Sequence, residues 1–158
     1  MPPTPRPFAL IDDRGRYLTS GGQPSHFTTP ELTCRCDCGA FQADQRLIDL
    51  LERIRAALGG NPVHVVSGVR CWARNLEVGG VKRSQHLPRT SEGEIDRESG
   101  TSAAGTRAAD LVLKGMPAFR VQAYLKDHAA ELQVIGIGQY DGFTHVDVRE
   151  GPPTIWRG

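Results

Sequence analysis

Residues 134–149 have the sequence VIGIGQYDGFTHVDVR, and they predict two neighbouring strands. The strands flank an Asp-Gly link at 141–142, which is a strong signal for a β-hairpin. In the second strand His145 and Asp147 point to one face, while Val146 points to the other. Two ionisable residues on the same face indicate a functional site beside the sheet.

Outside this hairpin the chain predicts two main helices and further strands. Leucine and isoleucine recur at helical spacing from about Ala43 to Leu58, with charged residues largely on the other side. A second helix is expected near 117–131. β-branched residues at 63–66 and an apolar run at 109–113 predict buried strands. We therefore expect an α+β fold, with a small, mostly antiparallel sheet and helices packed on one side.

The length of 158 residues predicts a single domain. Residues 1–26 are rich in Pro and Gly, and they predict a loosely structured N-terminal arm ahead of a domain at 27–158. Within that domain, residues 88–105 are polar and without periodicity. Long loops of this kind in compact domains are usually functional or mobile, so we expect an inserted loop there.

Composition and charge exclude some functional classes. The formal net charge is +1, which gives no electrostatic reason to expect nucleic acid or an anionic membrane as a partner. No apolar run approaches the ~20 residues that span a bilayer. The N-terminal segment lacks the apolar stretch of a signal peptide, which leaves a cytosolic protein, export by another route or a processed chain open. We expect a monomer.

The four cysteines permit three interpretations. Cys34, Cys36 and Cys38 alternate with other residues, and Cys71 stands apart. Metal sites usually space thiolates as Cys-x₂₋₄-Cys, which this cluster does not match. The sequence therefore favours small, partly buried thiols, with one disulfide to Cys71 or a second metal site as alternatives.

Three other residues, far apart in the sequence, have side chains suited to one metal ion: His86, Asp110 and His145. Two imidazoles and one carboxylate can hold Zn²⁺ and leave a fourth position for water, as in catalytic zinc sites. Because no short HExxH motif is present, spacing alone leaves a solvated His86 and a turn residue at Asp110 as open alternatives.

Several motifs around these residues occur in a characteristic order. They are Ser-Gly-x-Arg at 67–70, Asn75 followed by Val-Gly-Gly at 78–80, Ser-x-His at 84–86, a Gly and Asp block at 105–110, Gly-Ile-Gly-x-Tyr at 136–140 and Phe-Thr-His-Val-Asp at 143–147. Over roughly 27–149 this order resembles the zinc D-Ala-D-Ala carboxypeptidase family of peptidoglycan peptidases. That family is related to the VanX-type dipeptidases and to the hedgehog signalling domain.

The resemblance implies a zinc site and a substrate site. His86, Asp110 and His145 would bind Zn²⁺, which activates a water molecule and polarises the scissile carbonyl. Arg70 would anchor a substrate carboxylate or carbonyl oxygen, because a guanidinium can grip a carboxylate with two hydrogen bonds. Substrate contacts are also expected from Ser84 and Tyr140.

The general base is expected to be an acidic residue close to the last zinc ligand. Several relatives have Asp or Glu three residues before that histidine, where this chain has Gly142. Asp147 is the favoured candidate because it shares a strand face with His145, and Asp141 is the second candidate. The competing interpretation is that Asp147 only orients a ligand.

The separation of the first two metal residues departs from the family pattern. Asp110 follows His86 by 24 positions, a longer gap than is usual in the family, and residues 88–105 account for the difference. We expect this insertion to act as a lid or a specificity loop, although a solvated acidic loop is the simpler interpretation.

The sequence thus predicts a zinc metallopeptidase that acts on bacterial cell-wall peptidoglycan, outside the cytoplasm, with the stem peptide as its partner. It would be a carboxypeptidase or an endopeptidase, and the resemblance suits a phage or prophage lysin. The alternative is a non-catalytic, metal-stabilised recognition domain of the same fold.

Overall fold

The computed structural model describes residues 5–98 and 104–158. Its helices are α1 (Thr29–Leu32), α2 (Gln45–Ala57), α3 (Trp72–Glu77), α4 (Ala118–Asp127) and α5 (Ala129–Leu132). Its strands are β1 (Arg16–Leu18), β2 (Pro24–Thr28), β3 (Val63–Ser67), β4 (Arg89–Thr90), β5 (Ala104–Gly105), β6 (Ala108–Leu113), β7 (Gly136–Gln139), β8 (Thr144–Asp147) and β9 (Thr154–Arg157). The chain therefore has the expected α+β composition.

The largest sheet has the strand order β3-β6-β8-β7-β9. The first three pairings are antiparallel, but β9 pairs with β7 in parallel. The sheet is therefore mixed, and the expectation of a small, mostly antiparallel sheet is corrected at this edge. After β8 the chain passes through residues 148–153 and returns on the far side of β7. Strand β9 therefore runs in the same direction as β7. The four-residue strand β9 was not predicted from the sequence.

Helix α2 supplies much of the core. It begins after Asp44, whose side chain accepts a hydrogen bond from the backbone N–H of Arg46. Its apolar stripe, which includes Leu47 and Ile54, belongs to one buried cluster with Leu111 of β6 and Val146 of β8. One face of the sheet is thus covered, and the opposite face is left for polar side chains.

The segment before residue 27 is not a loose arm in its described part. β1 and β2 pair in antiparallel fashion, and they place Tyr17 and Phe27 in the core with almost no exposed surface. The buried guanidinium of Arg6 lies 2.7 Å from the carboxylate of Asp44. Pro and Gly content predicted a loosely structured arm here, but the described residues are fixed to the domain by aromatic side chains and one buried ion pair.

The predicted insertion at 88–105 begins and ends in a short ladder. β4 pairs with β5, with Arg89 opposite Gly105 and Thr90 opposite Ala104. A Cβ at Gly105 would lie 3.0 Å from the backbone of Gln42, so glycine permits this close approach. Part of the predicted loop, residues 99–103, lies outside the described residues. In the described parts of the chain no helix is long and apolar enough to cross a membrane.

Candidate metal centre and groove

Two of the predicted metal ligands face each other across neighbouring strands. Asp110 of β6 and His145 of β8 are directly opposite in the antiparallel register, so their side chains leave the same face of the sheet. Their neighbours Ala109 and Val146 point to the other face and belong to the core. The alternation of the two strands therefore separates the polar pair from the apolar interior.

Glycine makes room for this pair. Gly138 of β7 lies opposite His145, and a Cβ at this position would come within 2.9 Å of both the Cβ of His145 and the ring of Trp156. Real Cβ atoms do not approach other atoms so closely. The second glycine of the Gly-Ile-Gly motif thus leaves room for His145 and Trp156 to lie close together over β7.

The third residue, His86, comes from the loop that precedes β4. Its ring Nδ1 lies 2.7 Å from the carbonyl oxygen of Gly68, and its backbone N–H donates to Oγ of Ser84 at 3.2 Å. The backbone N–H of Arg70 donates to the carbonyl of His86 at 3.0 Å. These bonds attach the histidine to the segment after β3 and fix the direction of its ring.

The three side chains converge on one point. Nε2 of His86, Nδ1 of His145 and Oδ1 of Asp110 form a triangle whose three edges each measure 3.1 Å. Ligand atoms of a tetrahedral zinc site, at 2.0–2.1 Å from the ion, lie about 3.3 Å apart. The spacing therefore fits a small divalent cation.

Hydrogen bonds on the far sides of the rings determine which nitrogens carry protons. The Gly68 carbonyl can only accept, so Nδ1 of His86 must donate to it. Nε2 of His145 lies 2.8 Å from Oδ2 of Asp147, and this ionised carboxylate likewise accepts. The remaining ring nitrogens of His86 and His145 then direct lone pairs at each other and at Asp110. Such a donor set attracts a cation.

The electrostatics of the acidic residues agree with this assignment. Burial raises the pKa of Asp110, but the two histidines outweigh burial and hold the pKa well below its usual range when their facing nitrogens carry protons in place of a bound cation. Burial also raises the pKa of Asp147, but bonds from Arg149 and His145 again keep it low. Both carboxyl groups are therefore ionised at neutral pH.

A groove of about 680 Å³ opens over the triangle. Besides the three converging residues, its lining includes a set of cationic and aromatic side chains: Arg70, Arg83, Arg149, Tyr140, Phe143 and Trp156. Positive charge with flat aromatic surface is suited to an anionic, peptide-like ligand.

A comparison with protein-family models decides the classification. The family model described as Peptidase M15 matches residues 25–147, which is most of the chain. This chain belongs to the peptidase M15 family. The family comprises zinc D-Ala-D-Ala carboxypeptidases and VanX-like enzymes, and it is a family of metallopeptidases. No curated protein and no solved structure matches the chain significantly.

Three residues predicted to contact substrate line the groove of this M15 peptidase: Arg70, Ser84 and Tyr140. Nη2 of Arg70 donates to Oγ of Ser84 at 3.0 Å. Ser84 therefore holds both the guanidinium and the backbone N–H of His86, and it couples the expected substrate anchor to the metal centre. Burial lowers the pKa of Arg70, but an arginine remains charged at neutral pH.

The two candidates for the general base, Asp147 and Asp141, do not line the groove. Asp147 is fully buried behind His145, on the side of the ring that faces away from the triangle. Its oxygens also accept two hydrogen bonds from the guanidinium of Arg149, at 2.8 and 2.6 Å. Asp141 is exposed in the hairpin turn and does not line the groove. The structure brings neither carboxylate to the groove.

Strand β9 contributes a residue to the site that the sequence did not predict. Trp156 lies with its ring 5.0 Å from that of His145, and its Nε1 donates to the hydroxyl of Tyr140 at 3.2 Å. The guanidinium of Arg149 stacks 4.9 Å from the same indole. Trp156 thus forms one wall of the M15 peptidase site. Its only signal in the sequence was an aromatic residue in a short β-branched run near the C-terminus.

A second missed residue, Arg89, supports the loop that carries His86. Its buried guanidinium donates to the carbonyls of Ser84 at 2.9 Å, Leu87 at 3.4 Å and Arg83 at 3.1 Å. Burial lowers the pKa of Arg89 to about 10, so the group is still protonated at neutral pH. Strand β4, at the start of the predicted insertion, therefore stabilises the loop that carries His86 in this M15 peptidase.

Proposed function

We propose that this M15 peptidase is a zinc enzyme that hydrolyses peptide bonds in bacterial cell-wall peptidoglycan. The observation that carries the proposal is the triangle of His86, Asp110 and His145 at the base of a cationic groove. A structural metal site would be closed by four protein ligands. Three ligands beneath an open groove favour a site that leaves a position for a reacting molecule.

The chemistry of the three donors supports zinc. Two imidazole nitrogens and one carboxylate oxygen are typical ligands of catalytic Zn²⁺, whereas Mg²⁺ and Ca²⁺ prefer oxygen donors. Zinc bound there would supply Lewis acidity and would activate a water molecule as the nucleophile. The protein contributes the orientation of both rings through Gly68 and Asp147.

The groove supports an anionic peptide as substrate. Peptidoglycan stem peptides carry free carboxylates, and Arg70 and Arg83 line the groove on the side of the His86 loop. We propose that Arg70, held by Ser84, binds a substrate carboxylate or the carbonyl next to the scissile bond. Tyr140 and Trp156, joined by a hydrogen bond, would contact the peptide on the opposite wall.

We further propose that Asp147 acts as a positioning residue. Its carboxylate accepts the Nε2 proton of His145 and thereby keeps the Nδ1 lone pair directed at the metal position. Proton transfer to a buried carboxylate that already accepts bonds from Arg149 would have to pass through the imidazole. Asp147 therefore supports metal binding and does not itself meet the substrate.

The test is digestion of purified peptidoglycan by the zinc-loaded protein, followed by mass spectrometry of the soluble products. Release of D-Ala would indicate a carboxypeptidase, and loss of crosslinked fragments would indicate an endopeptidase. The variant His145→Ala should lose zinc and activity together. Intact peptidoglycan after incubation with fully zinc-loaded protein would reject the proposal.

One observation favours a second candidate, a metal-stabilised recognition domain. Among the described residues that line the groove, Asp110 is the only carboxylate, and it is committed to the metal triangle. A site without a second acidic group could bind a stem peptide without cleaving it. Binding of muropeptides by the zinc-loaded protein, with no product formed, would support this alternative over the peptidase.

A further inference from the structure

A second cluster of metal-binding side chains lies apart from the triangle. The sulfur atoms of Cys34, Cys36, Cys38 and Cys71 all lie within 4.8 Å of one another. Sγ of Cys36 lies 3.4 Å from that of Cys34 and 3.5 Å from that of Cys71. All four are free thiols, and Cys34 and Cys71 are buried. Segments 33 residues apart in the chain thus meet at one sulfur-lined point.

The distances indicate a tetrad of sulfurs, since they define no pairs. Cys36 is almost equally close to Cys34 and Cys71, so no single disulfide pairing is preferred. Four thiolates at the usual Zn–S distance of 2.3 Å would lie about 3.8 Å apart. The closest sulfurs, at 3.4 Å, are nearer than this, and no two of the four are more than 4.8 Å apart, so an adjustment of about 1 Å or less around an ion would equalise them.

Backbone N–H groups point at three of the sulfurs. Those of Cys38, Cys71 and Arg74 lie 3.4 Å from the sulfurs of Cys36, Cys34 and Cys71, respectively. Donors of this kind stabilise the thiolate form, because they favour the charged over the neutral sulfur. The turn that groups the first three cysteines ends at Gly39, whose φ of 73° suits glycine.

The surroundings of the cluster offer little other stabilisation. Its buried members, with Ala40 and Val69, form a small core of their own that contains no large apolar side chain. Cys71 also caps helix α3, because its sulfur accepts from the N–H of Arg74. Whatever joins these sulfurs therefore fixes the start of α3 and the neighbouring Arg70.

We propose that Cys34, Cys36, Cys38 and Cys71 bind one structural Zn²⁺ ion, separate from the ion at His86, Asp110 and His145. The site is closed by four protein ligands, as structural zinc sites are, and binding releases the protons of the thiols. The Cys-x-Cys-x-Cys spacing argued against metal in the sequence analysis. In the folded chain Cys71, from the segment after β3, lies beside these three cysteines and would supply the fourth ligand, so the site does not depend on the local spacing alone.

The inference does not depend on the proposed enzymatic activity, and metal analysis can separate the two. The full chain, purified without chelators, should contain two zinc ions per molecule. His145→Ala should retain one, and its cobalt-substituted form should show strong thiolate-to-cobalt charge-transfer absorption. One zinc in the unmodified chain and none in His145→Ala would refute the cysteine site, while leaving the other site intact.

A second set of measurements guards against misfolded variants. Titration of the unmodified protein with p-hydroxymercuribenzoate should release one equivalent of zinc as the four thiols react. Cys36→Ser should bind one zinc fewer and melt at a lower temperature, whereas His64→Ser, at an exposed position on β3, should keep both ions. A mass that shows loss of thiol hydrogens to disulfide bonds in the freshly purified protein would overturn the proposal.

Discussion

The carboxylate of Asp147 lies 2.8 Å from Nε2 of His145, while Nδ1 of the same ring lies 3.1 Å from the carboxylate of Asp110. One imidazole therefore stands between two carboxylates, of which one is fully buried and the other faces the groove. The alternation of β8 alone would place His145 and Asp147 on one face. The structure adds that Asp147 lies behind the ring, where it can orient the ring but cannot reach the groove.

Substitution of Asp147 by Asn tests this positioning role. Asn keeps the shape but loses the charged acceptor, so His145 is less well oriented and the metal should bind about 10- to 100-fold more weakly. Competition with a chromogenic chelator measures the affinity. At saturating zinc we expect much of the activity to return. Asp141→Asn, in the exposed turn, is the control and should leave both quantities unchanged.

A loss of turnover without a loss of zinc affinity would instead identify Asp147 as the general base. If Asp147→Asn binds zinc as tightly as the unmodified protein, yet shows no turnover at any pH, the carboxylate acts on the proton of the reaction and the base expected from the sequence is the right one. The pH profile of kcat/KM also distinguishes the two roles. Replacing a general base should abolish the fall in kcat/KM at low pH, whereas replacing a positioning residue should leave that fall in place.

The close approach of β7 to β8 gives a second prediction. A Cβ at Gly136 would lie within 2.4 Å of the carboxyl carbon of Asp147, so Gly136→Ala must displace that buried carboxylate. We expect the free energy of unfolding to fall by about 2 kcal/mol, as for other overpacked cores, together with weaker metal binding. Denaturant unfolding of the metal-free and zinc-loaded protein measures both effects.

Gly142→Ala is the matched control for this substitution. Gly142 lies in the hairpin turn of the same strand pair, its Cβ would meet nothing within 4 Å, and its φ is not positive. Its stability should change by no more than about 0.5 kcal/mol. Equal losses in the two variants would mean that flexibility of glycine, and not contact with Asp147, explains the effect.

Much of the site could be predicted because its signals are local. The alternation at 144–147 places His145 on a strand face, and the ordered motifs that contain His86, Asp110 and His145 carry the family resemblance. The apolar stripe of α2 predicted that helix to within two residues at either end. Such patterns survive folding because each depends on residues that are neighbours in the chain.

The remainder depends on contacts between distant segments. Trp156 reaches the site only because β9 pairs in parallel with β7, and a four-residue strand shows no periodicity. The buried pair of Arg6 and Asp44 spans 38 positions, so composition alone suggested a loose arm. The cysteine tetrad likewise needed Cys71 to be brought to the turn at 34–38. Pairing of this kind is set by the tertiary fold.

The support that Arg89 gives to the His86 loop leads to a third prediction. Arg89→Met keeps the length of the side chain but removes the donors to three backbone carbonyls. Each unsatisfied buried acceptor costs about 1–3 kcal/mol, partly relieved by water, so we expect a loss of about 3 kcal/mol in the free energy of unfolding. Arg120→Met, at an exposed position on α4, should be nearly neutral. Similar unfolding curves for the two variants would contradict this role for Arg89.

The last prediction concerns the anchoring role of Arg70. Lysine in its place keeps the positive charge but cannot form the planar pair of hydrogen bonds to a carboxylate, and it would not hold the Oγ of Ser84 in the same way. We expect Arg70→Lys to lower kcat/KM for a stem peptide by about 10- to 100-fold, the value of one charge-assisted hydrogen bond. Because Arg70 touches no metal-binding atom, zinc content should stay unchanged.

Arg14→Lys is the control, because Arg14 is exposed and is not among the residues that line the groove. A parallel loss of zinc would show that Arg70 maintains the metal centre through Ser84 and His86, and unchanged kcat/KM would remove it from the substrate site.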